Sequence, residues 1–389
     1  MFTSEIFFWT GIGVLLYTYF GYPVVLFFAS KLSSPGEVPT PLQMASPKVT
    51  MIIAAYNEEK VIEAKLDNCL ALDYPADKLD FIVASDGSSD RTNALVSELA
   101  GLNPRVKLLS LPRGGKSAAI NAAMTRTKGD IVVFSDANTL YAPDSLNKLV
   151  RHFANESVGC VCGRLSYNNP GKIISGKGES AYWRYETALK KMESALGYVA
   201  GANGAIYAIR RGLFSPLPDG TINDDFMISM RIIQRGFKCL YEEAAVAYEE
   251  VAPDVKSEFR RHVRDGSGHY IAVWRLPALL NPALGMRSFI YWSHRILRWA
   301  APFMLVGVFA LNAALSGLEP YRSLFLMQIA FYLLAVAGYA ASGMGRAPFL
   351  VYAPFYFANL NLALLLGFFR AITGGARPAW QSTQRGDSV

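Results

Sequence analysis

The chain has 389 residues, enough for one sizeable α/β domain with additional elements, and 52% of them are hydrophobic. Its net charge of +7 is explained as well by anionic lipid or an anionic ligand as by nucleic acid. No basic stripe with interleaved aromatic side chains occurs, so we expect no nucleic-acid partner. The four cysteines lack paired C-x-x-C spacing, which favours core packing over a metal site or a disulfide.

Long apolar segments lie near the two ends of the chain. Ile6 to Ala29 is a charge-free run of 24 residues, long enough to cross a hydrocarbon core of roughly 30 Å. It has neither the basic leading segment nor the cleavage site of a secretory signal, so we expect an uncleaved span. Three further spans are predicted at about Ala300–Leu315, Leu324–Ala341 and Phe349–Phe369, where length and scarcity of charge favour membrane helices over a buried helical core.

Basic side chains flank the predicted spans on the side of the middle segment. Lys31 and Lys48 follow the first span, and Arg287, Arg295 and Arg298 precede the second. Positive flanks of this kind place the middle segment in the cytoplasm. The side on which the tail lies stays open, because three later spans would send it outside whereas its arginines favour the inside.

The chain is predicted to divide into successive segments. They are an N-terminal transmembrane helix (1–30), a linker (31–47), a domain that carries all the motifs (48–274), amphipathic interface helices (275–298), about three transmembrane helices (299–370) and a tail (371–389). The linker is rich in proline. The interface segment mixes tryptophan with arginine, as helices at headgroup level do.

Apolar strands alternate with helices in the first part of the middle domain. The predicted strands are Val49–Ala55, Phe81–Ala84, Val106–Leu109 and Ile131–Phe134, and the helices are Glu58–Leu70, Arg91–Leu99 and Ser117–Met124. This alternation predicts an α/β fold with a parallel sheet covered on both faces. Right-handed crossovers would set the carboxyl ends of these strands on one edge. Further strands are predicted at 158–165, 204–209 and 238–248, and further helices at 180–196 and 225–235.

Polar motifs follow these strands in a fixed order. They are Ser85-Asp86-Gly87-Ser88-Ser89-Asp90, Gly114-Gly115-Lys116, Ser135-Asp136-Ala137-Asn138 and Asn223-Asp224-Asp225. Asp86 and Asp136 come directly after strands, and open α/β sheets bind ligands at the carboxyl ends of their strands. Two such carboxylates with a lysine between them suit a site for a charged nucleotide and its metal.

Asp86 and Lys116 each have a structural alternative. The Asp86 motif consists of turn formers, but a turn does not require a carboxylate at the strand edge. The glycine pair before Lys116 resembles the end of a P-loop, yet Ser110 stands where that pattern needs glycine. The remaining interpretation is a lysine at a helix N-terminus, where backbone N–H groups favour an anion. A solvated lysine at a helix start is the alternative.

The acidic residues later in the chain suit two roles, the binding of a cation and general-base catalysis. Asp136 and Asn138 leave an extended strand at positions i and i+2, and two oxygen ligands with diphosphate oxygens suit Mg²⁺ or Mn²⁺. Asp224 and Asp225 open a helix, where one acid is expected as N-cap and dipole partner. We assign that role to Asp224 and expect Asp225 to act as a general base.

In this order the motifs resemble those of the family 2 glycosyltransferases, in particular the membrane-embedded branch that includes cellulose, hyaluronan and poly-N-acetylglucosamine synthases. The matching pieces cover about residues 48 to 270 and are Ala55-Tyr56-Asn57-Glu58-Glu59, Asp86, Gly115-Lys116 with Asn121, Asp136-Ala137-Asn138, Gly201-Ala202-Asn203-Gly204 and Asn223-Asp224-Asp225. The resemblance implies a GT-A nucleotide-sugar-binding domain with a mostly parallel central sheet. It also implies a divalent cation, Mg²⁺ or Mn²⁺, and inversion by in-line attack on a UDP-sugar.

The resemblance also assigns roles to individual residues. Those expected to bind the nucleotide-sugar are Ala55, Tyr56, Glu58, Asp86, Lys116 and Asp136; those expected to hold the metal are Asp136 and Asn138; and those expected to meet the acceptor or diphosphate are Asn203, Asp224, Arg261 and Arg264. Asp225 would take the proton from the acceptor hydroxyl.

Two departures from the family pattern bear on function. Asn138 stands where the metal motif usually ends in aspartate, which removes one negative charge. The Gln-x-x-Arg-Trp sequence of polymer-forming members is replaced by Arg261-His262-Val263-Arg264-Asp265, without the tryptophan. Transfer of a single sugar is therefore favoured over sustained polymerisation.

These features together predict a multi-pass inner-membrane enzyme with a cytoplasmic catalytic domain. It would be an inverting hexosyltransferase that moves a sugar from a UDP-sugar to a lipid-linked or saccharide acceptor in exopolysaccharide, capsule or glycolipid synthesis, with membrane lipids as its surroundings. A processive synthase that extrudes its polymer is the enzymatic alternative. A non-catalytic membrane scaffold that binds a nucleotide-sugar is the alternative from another class.

Overall fold

The computed structural model describes residues 2–33, 46–167, 175–249, 255–342 and 348–375. Most of the predicted linker and most of the predicted tail lie outside these ranges. The chain forms two compact units. The sheet unit comprises Ser33–Asn168, Lys190–Val251 and Arg377–Val389, and the helical unit comprises Met1–Leu32, Asn169–Leu189 and Ala252–Ala376.

The sheet unit is built on one sheet of eight strands within the described residues. The strands are β1 (Val49–Ala55), β2 (Leu79–Asp86), β3 (Val106–Leu111), β4 (Ile131–Asp136), β5 (Leu140–Tyr141), β6 (Val158–Tyr167), β7 (Tyr207–Arg210) and β8 (Lys238–Glu249). Their spatial order is β3-β2-β1-β4-β7-β6-β8-β5. β1 pairs in parallel with both β2 and β4, and β2 pairs in parallel with β3, which confirms the predicted parallel half.

The second half of the sheet is mixed. β7 runs antiparallel to both β4 and β6, β8 runs parallel to β6, and β5 runs antiparallel to β8. β7 begins at Tyr207, later than the predicted Gly204, because the preceding residues form a turn in which Ile206 N–H donates to the Asn203 carbonyl. Gly201 takes a φ of 105° in this segment, a conformation that glycine adopts at little steric cost.

Thirteen α-helices occur in the described residues. They are α1 (Phe2–Leu16), α2 (Tyr22–Leu32), α3 (Ile62–Leu70), α4 (Thr92–Leu102), α5 (Lys116–Met124), α6 (Ser145–Val150), α7 (Ser175–Ala195), α8 (Asp224–Gln234), α9 (Val255–Arg275), α10 (Met286–Ile290), α11 (Leu297–Leu315), α12 (Tyr321–Ser342) and α13 (Phe349–Ile372). α3 begins later than the predicted Glu58, because Asn57 has a φ of 53° and the N–H groups of Val61 and Ile62 close a turn on the Glu58 carbonyl. Asparagine tolerates that left-handed conformation better than most residues do.

The core of the sheet unit lies between the sheet and the helices that cover it. Alternate residues of β1, including Met51 and Ile53, join Phe81 of β2, Val133 of β4 and Leu66 of α3 in one buried cluster. Each of these side chains is almost completely removed from water, and burial of a large apolar side chain contributes about 1.5–3 kcal/mol. This packing holds the central strands rigid, so the residues at their carboxyl ends have fixed positions.

The helical unit contains the membrane-spanning candidates. In the described residues, four helical segments are long and apolar enough to span a membrane: Phe2–Leu32, Met286–Leu315, Tyr321–Ser342 and Phe349–Ile372. Each of them contains one of the four apolar runs predicted from the sequence. The second begins at Met286 because α10 continues through a π-helical segment, Tyr291–Ile296, into α11.

A buried ion cluster lies within the helical unit. Glu186 of α7 is 4% exposed and pairs with the guanidinium of Arg298, while His294 Nε2 lies 3.4 Å from its second oxygen. Burial opposes ionisation of Glu186, but the Arg298 charge outweighs it and holds its pKa well below the usual range. Arg298 also lies over the Tyr185 ring, 5.2 Å from the centroid. A charged residue in an apolar helix is tolerated when it is paired in this way.

Candidate active site

The carboxyl end of β2 anchors the glycine loop. Asp86 is 1% exposed, and its Oδ1 accepts hydrogen bonds from the backbone N–H groups of Gly114 and Gly115 at 2.7 and 2.9 Å. A Cβ at Gly87 would lie 2.8 Å from the backbone nitrogen of Arg113, so only glycine permits the two loops to approach this closely. Asp86 therefore holds in place the segment that precedes Lys116.

Arg113 links two of the predicted nucleoside residues. Its guanidinium donates to Asp86 Oδ2 at 2.6 Å and stacks on Tyr56 with its central carbon 3.3 Å from the ring centroid. Stacking of arginine on an aromatic face is a favourable cation–π contact. Arg113 was not among the residues predicted from the sequence, although a basic residue directly before a glycine pair was a visible signal.

The loop after β1 is fastened to the loop after β2. Asn57 N–H donates to Ser88 Oγ at 3.1 Å, and Asn57 Oδ1 accepts from Ser89 N–H at 2.8 Å. The backbone N–H of Glu58 donates to Thr92 Oγ1 at 2.8 Å, and Glu58 itself is buried. Ala55 is the last residue of β1 and is fully buried. These contacts place Ala55, Tyr56 and Glu58 beside Asp86 on one edge of the sheet.

Lys116 is the first residue of α5, and its ammonium lies between two carboxylates. Its Nζ is 2.8 Å from Asp136 Oδ1 and 3.4 Å from Asp224 Oδ1. Burial alone would lower the pKa of this ammonium, but Asp136 and Asp224 outweigh burial and raise it. A position that holds one positive charge against Asp136 and Asp224 has the electrostatics that a cation or a cation-bound diphosphate requires.

Asp224 and Asp225 begin α8, but the predicted N-cap is wrong. Asn223 is the N-cap and Asp224 is the first helical residue. Among the described residues, the buried Asp224 Oδ2 has no hydrogen-bond partner. Burial raises the pKa of Asp224. Burial and the neighbouring Asp224 charge together raise the pKa of Asp225 to about 6.

The loop that leads into α8 is fixed by α5. Asn121 Nδ2 donates to the Leu217 carbonyl at 2.9 Å, and Asn121 Oδ1 accepts from Leu217 N–H at 2.8 Å. Ser117 Oγ donates to the Thr221 carbonyl at 2.7 Å. These bonds give Asn121, the asparagine that follows the Gly-Lys motif, a structural role. They fix the loop before α8 and thereby set the position of Asp224 and Asp225 relative to Lys116.

Lys65 of α3 stabilises the carboxyl end of β4 through hydrogen bonds. This lysine is fully buried, and its Nζ donates to Ser135 Oγ at 2.8 Å and to the Thr139 carbonyl at 2.5 Å. It thereby holds the chain on both sides of Asp136. Lys65 was not among the residues predicted from the sequence. Its signal was a lysine on the apolar face of α3, beside Ile62 and Leu66.

The donor set near Asp136 suits a cation that keeps non-protein ligands. The backbone turns sharply here, since Thr139 N–H donates to the Asp136 carbonyl. Within the described ranges, no three His, Cys, Asp or Glu side chains form a ready-made metal site. Asp136 and the Asn138 oxygen are hard donors of the kind that Mg²⁺ and Mn²⁺ accept, and both ions usually keep several waters or phosphate oxygens. The residues present therefore fit such a cation bound together with a diphosphate.

The remaining predicted residues lie in different places. Asn203 belongs to the turn before β7, and a Cβ on the adjacent Gly204 would lie 3.2 Å from Asp225 Oδ2. Asn203 is therefore the chain neighbour of a residue that lies next to the Asp225 carboxylate in space. Arg261 and Arg264 lie on α9, in the helical unit, where Arg264 pairs with Asp265 at 3.3 Å.

The sheet unit matches a known family of enzymes. Residues 50–214 match the family model described as glycosyl transferase family 2. Residues 50–214 therefore carry a domain of the glycosyl transferase family 2 type. The resemblance predicted from the motifs is thereby confirmed, and the fold class is GT-A, as expected.

The relatives that this chain matches include a glycolipid synthase and a polysaccharide synthase. A β-monoglucosyldiacylglycerol synthase from Trichormus variabilis is 29% identical over 257 residues, which are 64% of this chain and 54% of the relative. A poly-β-1,6-N-acetyl-D-glucosamine synthase from Staphylococcus aureus is 25% identical over 58% of this chain and 56% of the relative. The match thus spans about half the length of these curated relatives.

One solved structure matches almost the whole chain. It is a mannosyltransferase from Pyrobaculum calidifontis, solved in complex with GDP-Man and Mn²⁺. The similarity has a TM-score of 0.68 at 25% identity and covers 94% of this chain and 99% of that one. This chain therefore shares its architecture with an enzyme whose structure contains a nucleotide-sugar and a divalent cation.

Proposed function

We propose that this chain is a membrane-bound, metal-dependent, inverting hexosyltransferase that moves a sugar from a UDP-sugar to a lipid-linked or saccharide acceptor. The observation that carries the proposal is the Lys116 ammonium between Asp136 and Asp224, at 2.8 and 3.4 Å, with Asp225 next in the chain. It brings one cationic and three acidic groups to the carboxyl edge of a GT-A sheet, where such folds bind ligands.

The nucleoside would bind beside the end of β2. Tyr56 and Arg113 would border the nucleoside, the buried Asp86 would hold Arg113 and the glycine loop in place for it, and Ala55 and Glu58 border the same loops. Lys116 would meet the negative charge of the diphosphate. The proposal of uridine as the nucleoside rests on the resemblance of these motifs to those of enzymes that use UDP-sugars. Guanosine is the alternative to test, because the similar mannosyltransferase was solved with GDP-Man.

Asp136 and the Asn138 oxygen would hold Mg²⁺ or Mn²⁺ together with diphosphate oxygens. When bound, such a cation neutralises charge on the departing diphosphate. Asp225 takes the proton from the acceptor hydroxyl as the acceptor oxygen bonds to the anomeric carbon. The bond from that carbon to the diphosphate oxygen breaks, and its electron pair leaves with the diphosphate. Attack on the face opposite the leaving group inverts the anomeric centre.

The acceptor is proposed to reside at the inner membrane. Four apolar helical segments and the basic flanks of Lys31, Arg287, Arg295 and Arg298 support a multi-pass protein with a cytoplasmic catalytic domain. The named activities of the two curated relatives, a glycolipid synthase and a polysaccharide synthase, support a place in glycolipid, capsule or exopolysaccharide synthesis. Asn203, Asp224, Arg261 and Arg264 are proposed to meet the acceptor or diphosphate.

The proposal is tested with the full chain in lipid nanodiscs. Radiolabelled UDP- and GDP-sugars are supplied with Mn²⁺, Mg²⁺ or EDTA and a lipid acceptor mixture, and the products are sized. We expect one sugar to be added from a UDP-sugar, with loss of transfer in EDTA. Transfer only from GDP-sugars would overturn the uridine assignment, and a ladder of long products would establish the processive alternative. Binding of a nucleotide-sugar without any transfer would favour the alternative of a non-catalytic membrane scaffold.

The pH dependence of transfer should report the acidic pair at the start of α8. Because the pKa of Asp225 is raised to about 6, a base at this position is protonated below that pH. We expect kcat/KM to fall about tenfold per pH unit on the acid side, because kcat/KM reports the ionisation of the free enzyme. Asp224→Asn removes the neighbouring charge and should shift this acid limb to lower pH.

A matched control for the pH profile is available nearby. Asp219→Asn changes an exposed carboxylate in the loop before α8 and should leave the midpoint of the acid limb unchanged. An Asp224→Asn profile that superimposes on the wild-type profile would show that the pair does not set this pH dependence.

A further inference from the structure

Asn138 is held by a carboxylate that lies far from it in the sequence. Its Nδ2 donates to Glu249 Oε1 at 2.6 Å, across 111 residues. The contact follows from strand pairing, because β5 and β8 run antiparallel with Leu140 opposite Tyr248. Asn138 lies two residues before Leu140, and Glu249 follows Tyr248, so the two side chains meet just beyond the end of the ladder.

The contact determines which atom of Asn138 can face a cation. Only the NH₂ group can donate to a carboxylate, because a carbonyl oxygen in its place would be repelled. The Asn138 Nδ2 group therefore donates to Glu249, and the covalent geometry of the amide directs Oδ1 away from Glu249. An amide with its nitrogen fixed in this manner presents a neutral oxygen ligand in one orientation.

The same contact changes the charge of the motif. In the sequence, Asn138 removes one negative charge from a motif that in related enzymes usually ends in aspartate. Glu249 brings a carboxylate to hydrogen-bonding distance of that same side chain. The turn closed by Thr139 N–H and the Asp136 carbonyl keeps Asp136 and Asn138 together, so the charge of Glu249 lies beside the pair.

We propose that Glu249 is a positioning residue of the cation site, which fixes the Asn138 oxygen toward the cation and supplies the negative charge that asparagine lacks. The inference rests on the proposed function, because it assumes that Asp136 and Asn138 hold a divalent cation. Groups that orient metal ligands through hydrogen bonds typically change metal affinity by 10–100-fold when they are mutated. Glu249 acts through Asn138 and needs no contact with the substrate.

The first test isolates the charge. Glu249→Gln keeps an oxygen that can accept from Asn138 Nδ2 but removes the negative charge. Mn²⁺ binding to the full chain in nanodiscs is measured with UDP present, from the loss of the electron paramagnetic resonance signal of free Mn²⁺. We expect the Mn²⁺ dissociation constant to rise about tenfold or more, with an unchanged thermal unfolding midpoint. In transfer assays the effect should appear in the Mn²⁺ concentration for half-maximal rate, whereas kcat at saturating Mn²⁺ stays within about threefold.

The second test exchanges the two roles. In the double variant Asn138→Asp with Glu249→Gln, the charge moves to position 138 and the glutamine amide donates to it, so the net charge and the hydrogen bond are both preserved. We expect Mn²⁺ affinity to return to within about threefold of the wild type. Glu243→Gln is the matched control, because Glu243 lies on the same strand in an exposed pair with Lys191 and should leave Mn²⁺ binding unchanged.

The outcomes separate this inference from the proposed function. Wild-type protein that binds no Mn²⁺ with UDP would remove the metal-dependent function itself. Wild-type binding that Glu249→Gln leaves within twofold would overturn the role of Glu249 alone. A double variant as weak as Glu249→Gln would also overturn it, because an exchange of charge would then have failed to restore the site.

Discussion

Asp225→Asn is expected to lower kcat for sugar transfer by about 10²–10⁴-fold, the usual contribution of a positioned general base. Asparagine has nearly the same shape as aspartate but cannot accept the proton of the acceptor hydroxyl. Asp225 Oδ1 accepts the backbone N–H of Phe226 at 2.8 Å, and the asparagine oxygen can retain that bond. Binding of UDP should therefore persist, and titration calorimetry of UDP with Mn²⁺ together with a transfer assay measures both quantities.

Asp219→Asn serves as the control for Asp225 as well, since it removes an exposed carboxylate from the preceding loop. It should retain wild-type kcat. Turnover by Asp225→Asn within tenfold of the wild type would exclude Asp225 as the base. Loss of UDP binding in that variant would instead indicate that Asp225 belongs to the donor site.

Asp136→Asn is the second large effect, with an expected loss of about 10²–10³-fold in kcat/KM. The change removes the single carboxylate of the motif and the closest partner of the Lys116 ammonium, at 2.8 Å. Because the cation would then have only neutral protein ligands, its affinity should fall, and higher Mn²⁺ should restore part of the rate. The rate is measured as a function of Mn²⁺ at saturating donor.

The control for Asp136 lies at the other end of the same strand. Asp130 is exposed and directly precedes β4, so Asp130→Asn changes the same residue type without approaching the site. It should leave kcat/KM and the Mn²⁺ dependence unchanged. An Asp136→Asn variant whose Mn²⁺ dependence matches that of the wild type would show that Asp136 does not hold the cation.

The parallel half of the sheet was predictable because its signal is local. The apolar runs around Met51, Phe81 and Ile131 are strands in the structure, since strands buried on both faces need continuous apolar residues. The turn before β7 and the late start of α3 were not predicted. Both depend on single residues in left-handed conformations, Gly201 and Asn57, and the apolar pattern does not carry that information.

The candidate site was predictable only in part. Asp136, Lys116 and Asp224 were named from their positions after strands and at helix starts. The structure places the Lys116 ammonium 2.8 Å from Asp136 and 3.4 Å from Asp224. Lys65 and Arg113 were missed, because a lysine on an apolar helix face and a basic residue before a glycine pair are weak signals that do not name a partner. Their importance comes from contacts with Ser135 and Asp86, which lie far away in the sequence.

Local patterns in the sequence were enough to predict the class of the protein, from the apolar runs near both ends, the alternating α/β middle and the acids at strand ends. These are properties of short segments, set by the periodicity and length of each element. The long-range contacts came from folding: Asp224 lies beside Lys116, and Glu249 faces Asn138. Those pairings depend on strand order and register across more than a hundred residues, and no local pattern encodes them.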